Sequence, residues 1–95
     1  MMNLREEQLK AVEELAYALF TPREIAIAIV VRPEDFKQEI ESECGEVWYA
    51  YQKGLTRQKL ELHQSIIKAA HNGSNPAQME VLKMFNRVMR HAKYE

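Results

Sequence analysis

The residues in this chain that could do chemistry are cations placed to meet phosphate. Lys83, Arg87 and Arg90 stand at i, i+4 and i+7, which lines them up as one stripe on a helix. Arg87 begins a basic run that continues to Lys93. Earlier in the chain, Arg23, Arg32, Lys37 and Gln38 lie in and between two short segments that each open with proline, at Pro22 and Pro33. Arginine and lysine give affinity for a nucleic-acid backbone, while arginine and glutamine at the start of a helix can reach base edges. The other reactive residue types form no pattern. His63, His71 and His91 match no metal-ligand spacing, and the single Cys44 sits among acids without the cationic surroundings of a reactive thiol. There is no G-x-x-x-x-G-K-[ST] loop and no nucleophile elbow, so the expected protein is non-catalytic and needs neither metal nor cofactor.

The elements that must position these groups read as helices throughout. Asn3 is placed to cap a first helix over Leu4–Phe20, with Glu6 answering it and apolar residues recurring from Leu4 to Leu19. Thr21-Pro22-Arg23-Glu24 carries a capping box with proline at the first helical position. Behind it, Ile25, Ala26, Ile29 and Val30 give an inward face, and Ala26 and Ala28 are small enough for a close neighbour. The run IAIAIVV also has strand composition, but the box before it and Pro33 after it favour helix. Pro33 opens a third helix, anchored by Phe36 and Ile40, with Gly45 expected to provide a left-handed cap.

A long helix follows from Glu46 to about His71, with any kink expected at Gly54. In it, Trp48 and Tyr51 are expected to pack and Tyr49 to be exposed. Asn72-Gly73 ends the helix, and Asn75, Pro76 and Gln78 restart a last one carrying Met79, Leu82, Phe85, Val88 and Met89. The expected fold is therefore all-α: a helix-turn-helix-like unit over 1–45 and a long-helix α-hairpin over 46–95, one compact domain overall.

Charge divides unevenly over these parts. Residues 1–46 hold five Lys/Arg against eleven Asp/Glu, a balance of −6, and residues 47–95 hold eight against three, a balance of +5. The halves can neutralise each other within one fold, attract another copy head to tail, or turn a basic surface to phosphate. Residues 21–46 hold three Lys/Arg against seven Asp/Glu, so the helix that would enter a DNA groove is acidic. The hairpin has more apolar surface than the first unit can cover. Leu55, Leu62, Ile66, Leu82, Phe85 and Met89 are the expected oligomerisation residues. No apolar run reaches membrane-spanning length, and the expected location is cytoplasmic, the host cytoplasm if phage-encoded.

The order LFTPREIAIAIVVRPEDFKQEI, GEVWYAYQKGLTRQKLELHQSIIKAAHNGS and NPAQMEVLKMF resembles the small subunit of bacteriophage terminases. The likeness covers about Phe20 to Phe85. It rests on the T-x-x-E-I-A helix start, Tyr51-x-x-Gly54, and Ile66-x-x-Ala69-Ala70-x-x-Gly73 followed by NPAQ. The resemblance implies a helix-turn-helix that binds viral double-stranded DNA for packaging and a hairpin that assembles subunits into a ring. In that family a further C-terminal segment meets the large subunit or portal. This sequence has no evident counterpart, so the large subunit is a partner by implication only. The other function class open to the sequence is a helical protein–protein adaptor that offers an acidic face and never touches DNA.

Overall fold

The computed structural model describes residues 2–94, with side chains through residue 92. It is all-α: α1 spans Glu6–Tyr17, α2 Pro22–Ala28, α3 Pro33–Glu41, α4 Gly45–His71 and α5 Asn75–Tyr94. No strand occurs among the described residues. IAIAIVV is the body of α2 and the turn behind it. The chain divides into two units, Met1–Lys59 and Leu60–Glu95, so the first half of α4 belongs with α1–α3.

In the first unit α2 begins as its sequence dictates. Thr21 Oγ1 accepts from the Glu24 backbone N–H at 3.2 Å, and Glu24 Oε1 accepts from the Thr21 N–H at 2.8 Å. Two donors at the helix start are thereby satisfied reciprocally. The first helix is shorter than its apolar pattern. Arg5 caps it rather than Asn3, and the Gln8 side chain, not Glu6, accepts the Arg5 N–H at 2.9 Å. Leu4 still packs on the core from outside the helix. The core consists of Val12 and Ala16 of α1, Ile25 and Ala26 of α2 with Ile29 at its cap, Phe36 of α3 and Val47 of α4. Two side chains tie α1 to its neighbours by completing exposed helix ends. Gln8 donates to the Ile29 carbonyl at 3.1 Å, and Gln58 donates to the Tyr17 carbonyl at 2.8 Å.

The helix ends depart from expectation at several positions. Left-handed residues follow α1, α2 and α3 at Leu19, Val30 and Glu43, with φ of 66°, 61° and 54°. Behind α2, Val30 N–H bonds the Ile27 carbonyl and Val31 N–H the Ala26 carbonyl. This is the paired closure that usually carries glycine. Val30 therefore points outward, 88% exposed, instead of joining the inward face. Ala28 is likewise exposed, and only Ala26 is buried. Glu43 takes the left-handed place after α3, and Gly45, also at positive φ, opens α4 instead. A β-branched residue is the worst fit for this backbone. Val30→Gly should therefore raise the unfolding free energy by about 1 kcal/mol, net of glycine's greater freedom in the unfolded chain. Urea denaturation with an unchanged m-value is the check.

Gly54 is where α1 and α4 touch. A Cβ built there would lie 2.2 Å from the Glu13 carbonyl oxygen, 2.8 Å from Ala16 Cβ and 2.9 Å from the Tyr17 nitrogen. The sequence suggested a kink, but the residue's role is close approach of two backbones. Around this crossing, Tyr51 meets Phe36 edge-on at 6.5 Å. Val47, Ala50, Tyr51 and Leu55 face the core. Trp48 was expected there, but it lies outside that cluster, its ring in a T-shaped contact with that of the exposed Tyr49, centroids 4.9 Å apart.

In the second unit α4 is closed off two residues past its end by Gly73, φ 97°, with Gly73 N–H on the Ala70 carbonyl and Ser74 N–H on Ala69. Ser74 rather than Asn75 caps α5, its Oγ accepting the Ala77 N–H at 3.3 Å. Gln78 does not close a capping box; it donates across the turn to the Ala70 carbonyl at 3.0 Å. Ala70 is the unit's one buried hydrophobic residue among those described, with Ile66, Ala69, Ala77, Val81 and Met84 half-buried.

Candidate nucleic-acid interface

The turn between α2 and α3 sets their starts side by side. Pro22, Arg23, Pro33, Glu34 and Lys37 line one surface groove. Two of the residues expected to meet DNA, Arg23 and Lys37, are thus brought together. Gln38 is not with them. It lines a second depression with Met2, Asp35 and Glu39, beside the bond from the Met2 N–H to Glu39 Oε1 at 3.1 Å. Arg32 stands at the cap of α3, its Nε 3.8 Å from Glu34 and 3.9 Å from Asp35.

Ion pairs decide how free these cations are. Lys37 reaches Glu41 at 3.9 Å, one turn along α3. Arg23 makes no ion pair among the described residues. The Arg32 and Lys37 pairs are exposed on both sides, so each contributes well under about 1 kcal/mol and yields readily to a phosphate. The carboxylates nonetheless remain on the face, where Glu34, Asp35 and Glu41 are all exposed. The face is mixed in sign, and the cation without an ion pair among the described residues stands at the α2 start.

The basic half of the chain separates into two groups. Arg57 Nη1 lies 2.7 Å from Glu13 Oε2 and 3.9 Å from Glu14, and Lys53 lies 3.7 Å from Glu13. The Arg57 guanidinium also sits 4.7 Å from the centre of the Tyr17 ring. Its hydrogen bond with Glu13 raises its pKa further above the ordinary arginine value. These two cations offset Glu13 and Glu14 of α1, so part of the charge asymmetry is settled inside the first unit. The second group is the α5 stripe. Lys83 pairs only with Glu80, three residues back, at 3.6 Å, while Arg87 and Arg90 make no ion pair among the described residues. The side chain of Lys93 lies outside the described residues.

Of the residues expected to join subunits, Leu55 is used within the first unit, where it packs against the core. Ile66 is half-buried and Leu62 exposed. Leu82, Phe85 and Met89 are all exposed, together with Met79 and Val88. The Glu13–Arg57 clamp could not be read in advance, because the partners are 44 positions apart and each looks like an ordinary surface charge.

Compared with models of protein families, with curated proteins and with solved structures, the chain matches none.

Proposed function

We propose that this chain is a non-catalytic DNA-binding protein that works as an oligomer, of the kind that recognises viral DNA for packaging as terminase small subunits do. The observation that carries the reading is the groove where α2 and α3 start together, with Arg23 and Lys37 on its rim. Arg23 and Lys37 would hold phosphates on either side of a groove of the duplex, which fixes orientation. Arg32 and Gln38, at the cap and first turns of α3, would reach base edges. Lys83, Arg87 and Arg90 would add backbone contacts. A single copy is weakly charged, and several copies on one duplex bind through summed contacts.

A salt-titrated mobility shift with duplex DNA tests this reading. Binding should be visible at low salt, and the slope of log K against log salt should flatten by about 2 in Arg23→Ala/Lys37→Ala, since each lost phosphate contact removes about 0.9. Absence of a shift at low salt, where phosphate attraction is strongest, removes the proposal.

One observation favours a second reading. Arg32 is occupied by Glu34 and Asp35 on its own helix. A face in which the acids hold the cations suits an adaptor that binds a basic protein partner. That reading predicts no DNA shift, and weaker binding to a basic partner in Glu34→Gln/Asp35→Asn. In the DNA reading the same change strengthens the shift.

A further inference from the structure

The second unit cannot bury its own apolar surface. Its single buried hydrophobic residue among those described is an alanine, yet α5 leaves Met79, Leu82, Phe85, Val88 and Met89 each about 60% exposed. At about 100° per residue, Leu82, Phe85 and Met89 fall within roughly 60° of one another, with Met79 and Val88 at the edges. The stripe of Lys83, Arg87 and Arg90 is centred roughly 130° away. Ala77, Val81 and Met84, the half-buried residues, lie on a third side. The helix therefore has one side toward the hairpin, one basic side, and one apolar side without a partner.

Area and charge indicate what covers the apolar side. Five large side chains at this exposure present on the order of 600 Å² of apolar surface, most of the ~800 Å² that each partner gives a standard stable interface. Between residues 78 and 92 the Leu82–Phe85–Met89 side holds no charged residue: Gln78 lies on it one turn before Leu82 and Asn86 at its margin, and the first charge at that angle, Lys93, comes a turn beyond Met89. A charge-free face of this kind selects no charged partner, and it matches a second copy of itself. Direction follows from the cations. Lys83 lies just before the middle of α5 and Arg87, Arg90 and Lys93 after it, so the cations are weighted to the later half and a parallel pairing would gather both sets there. An antiparallel pairing separates them.

We propose that α5 is the seam of a homodimer in which two copies lay their Leu82–Phe85–Met89 sides together, antiparallel, across a two-fold axis near Phe85. The inference rests on the oligomeric part of the reading above and gives it a surface and a symmetry. Two hairpins joined in this way close into a four-helix bundle, in which every contact across the seam occurs twice, residue i on j and j on i. Leu82 of one copy faces Met89 of the other. Both basic stripes are left outward, available to phosphate.

Cysteine scanning of the full chain, in a Cys44→Ser background, tests the seam. Phe85→Cys should oxidise to a covalent dimer, and Leu82→Cys/Met89→Cys should do the same, while Met79→Cys alone should stay monomeric on a non-reducing gel. Light scattering should give twice the 11.1 kDa chain mass, or an even multiple of it. Phe85→Glu should reduce the mass to a lower state with helical content retained, because the position is solvent-facing in one copy. A monomeric wild-type chain, crosslinking at Met79 alone, or an assembly size untouched by Phe85→Glu would each overturn the proposal. The DNA shift is read separately. A crosslinked dimer that ignores DNA removes the DNA-binding reading and leaves the seam, and DNA binding by a strict monomer removes the seam and the oligomeric part of that reading while leaving its DNA-binding part.

Discussion

Gly54→Ala should lower the stability of the first unit by about 3 kcal/mol, against the direction that helix propensity alone predicts. In an exposed helix interior the same change is favourable by about 1 kcal/mol. Here the added methyl would meet the Glu13 carbonyl oxygen at 2.2 Å and the Tyr17 nitrogen at 2.9 Å. These are backbone atoms and cannot rotate away. The helices must separate, and the separation is felt by everything built across the crossing. Arg57 would be drawn from Glu13, and Gln58 from the Tyr17 carbonyl. Overpacking in a fixed site costs about 1–3 kcal/mol by itself, and loosening the tethered contacts adds to it. Because a domain of this size shifts by about 4–8 °C per kcal/mol, thermal unfolding by circular dichroism should fall by roughly 15 °C. Gly54→Val, larger and β-branched, should fail to give a folded first unit. An unchanged or raised melting temperature in Gly54→Ala would mean that α1 and α4 do not meet at this residue.

The features legible in the sequence are those decided within four or five residues. Thr21, Pro22 and Glu24 specify the start of α2 through contacts along the same turn, so the box is present as read. Pro33 and the Asn72-Gly73 stop act over equally short range. Features set by a distant segment were not legible. Gly54 looks like a weak point in a helix until Glu13 is placed against it. Leu55 looks like spare apolar surface until the first unit closes on it. Gln78 looks like a capping residue, yet its side chain serves a carbonyl eight positions back. Val30 shows a subtler limit. Its apolar character and spacing put it on the inward face, but the closure of α2 needs a left-handed residue at that position, and backbone geometry overrides the pattern. The candidate interface follows the same division. The two proline starts foretold that Arg23 and Lys37 would be near helix ends. That Gln38 would line another depression, and that Arg32 would be held by Glu34 and Asp35, depends on side-chain directions that spacing alone does not fix.

Phe36→Ala should be the most damaging single truncation in the chain, and its consequences separate stability from recognition. Phe36 is the one fully buried residue of α3, with Ile40 beside it only half-buried. The ring meets Tyr51 of α4 edge-on and lies in the cluster with Ile25 and Ala26 of α2. Its removal takes away the transfer energy of a whole phenyl group and leaves a cavity that the surrounding helices close only in part, a loss of about 4 kcal/mol. A unit of some sixty residues has only roughly 3–9 kcal/mol in total. The variant should therefore be largely unfolded in the first unit at moderate temperature. Phe36→Leu, which retains most of the volume, should lose far less and keep its fold. DNA affinity then discriminates. If α3 and the start of α2 form the recognition surface, Phe36→Ala should lose binding in proportion to its unfolded fraction while Phe36→Leu binds as the unaltered chain does. If Phe36→Ala still binds with full affinity and a full salt slope while its first unit is unfolded, the contacts come from the α5 stripe alone, and Arg23, Arg32, Lys37 and Gln38 have no part in recognition.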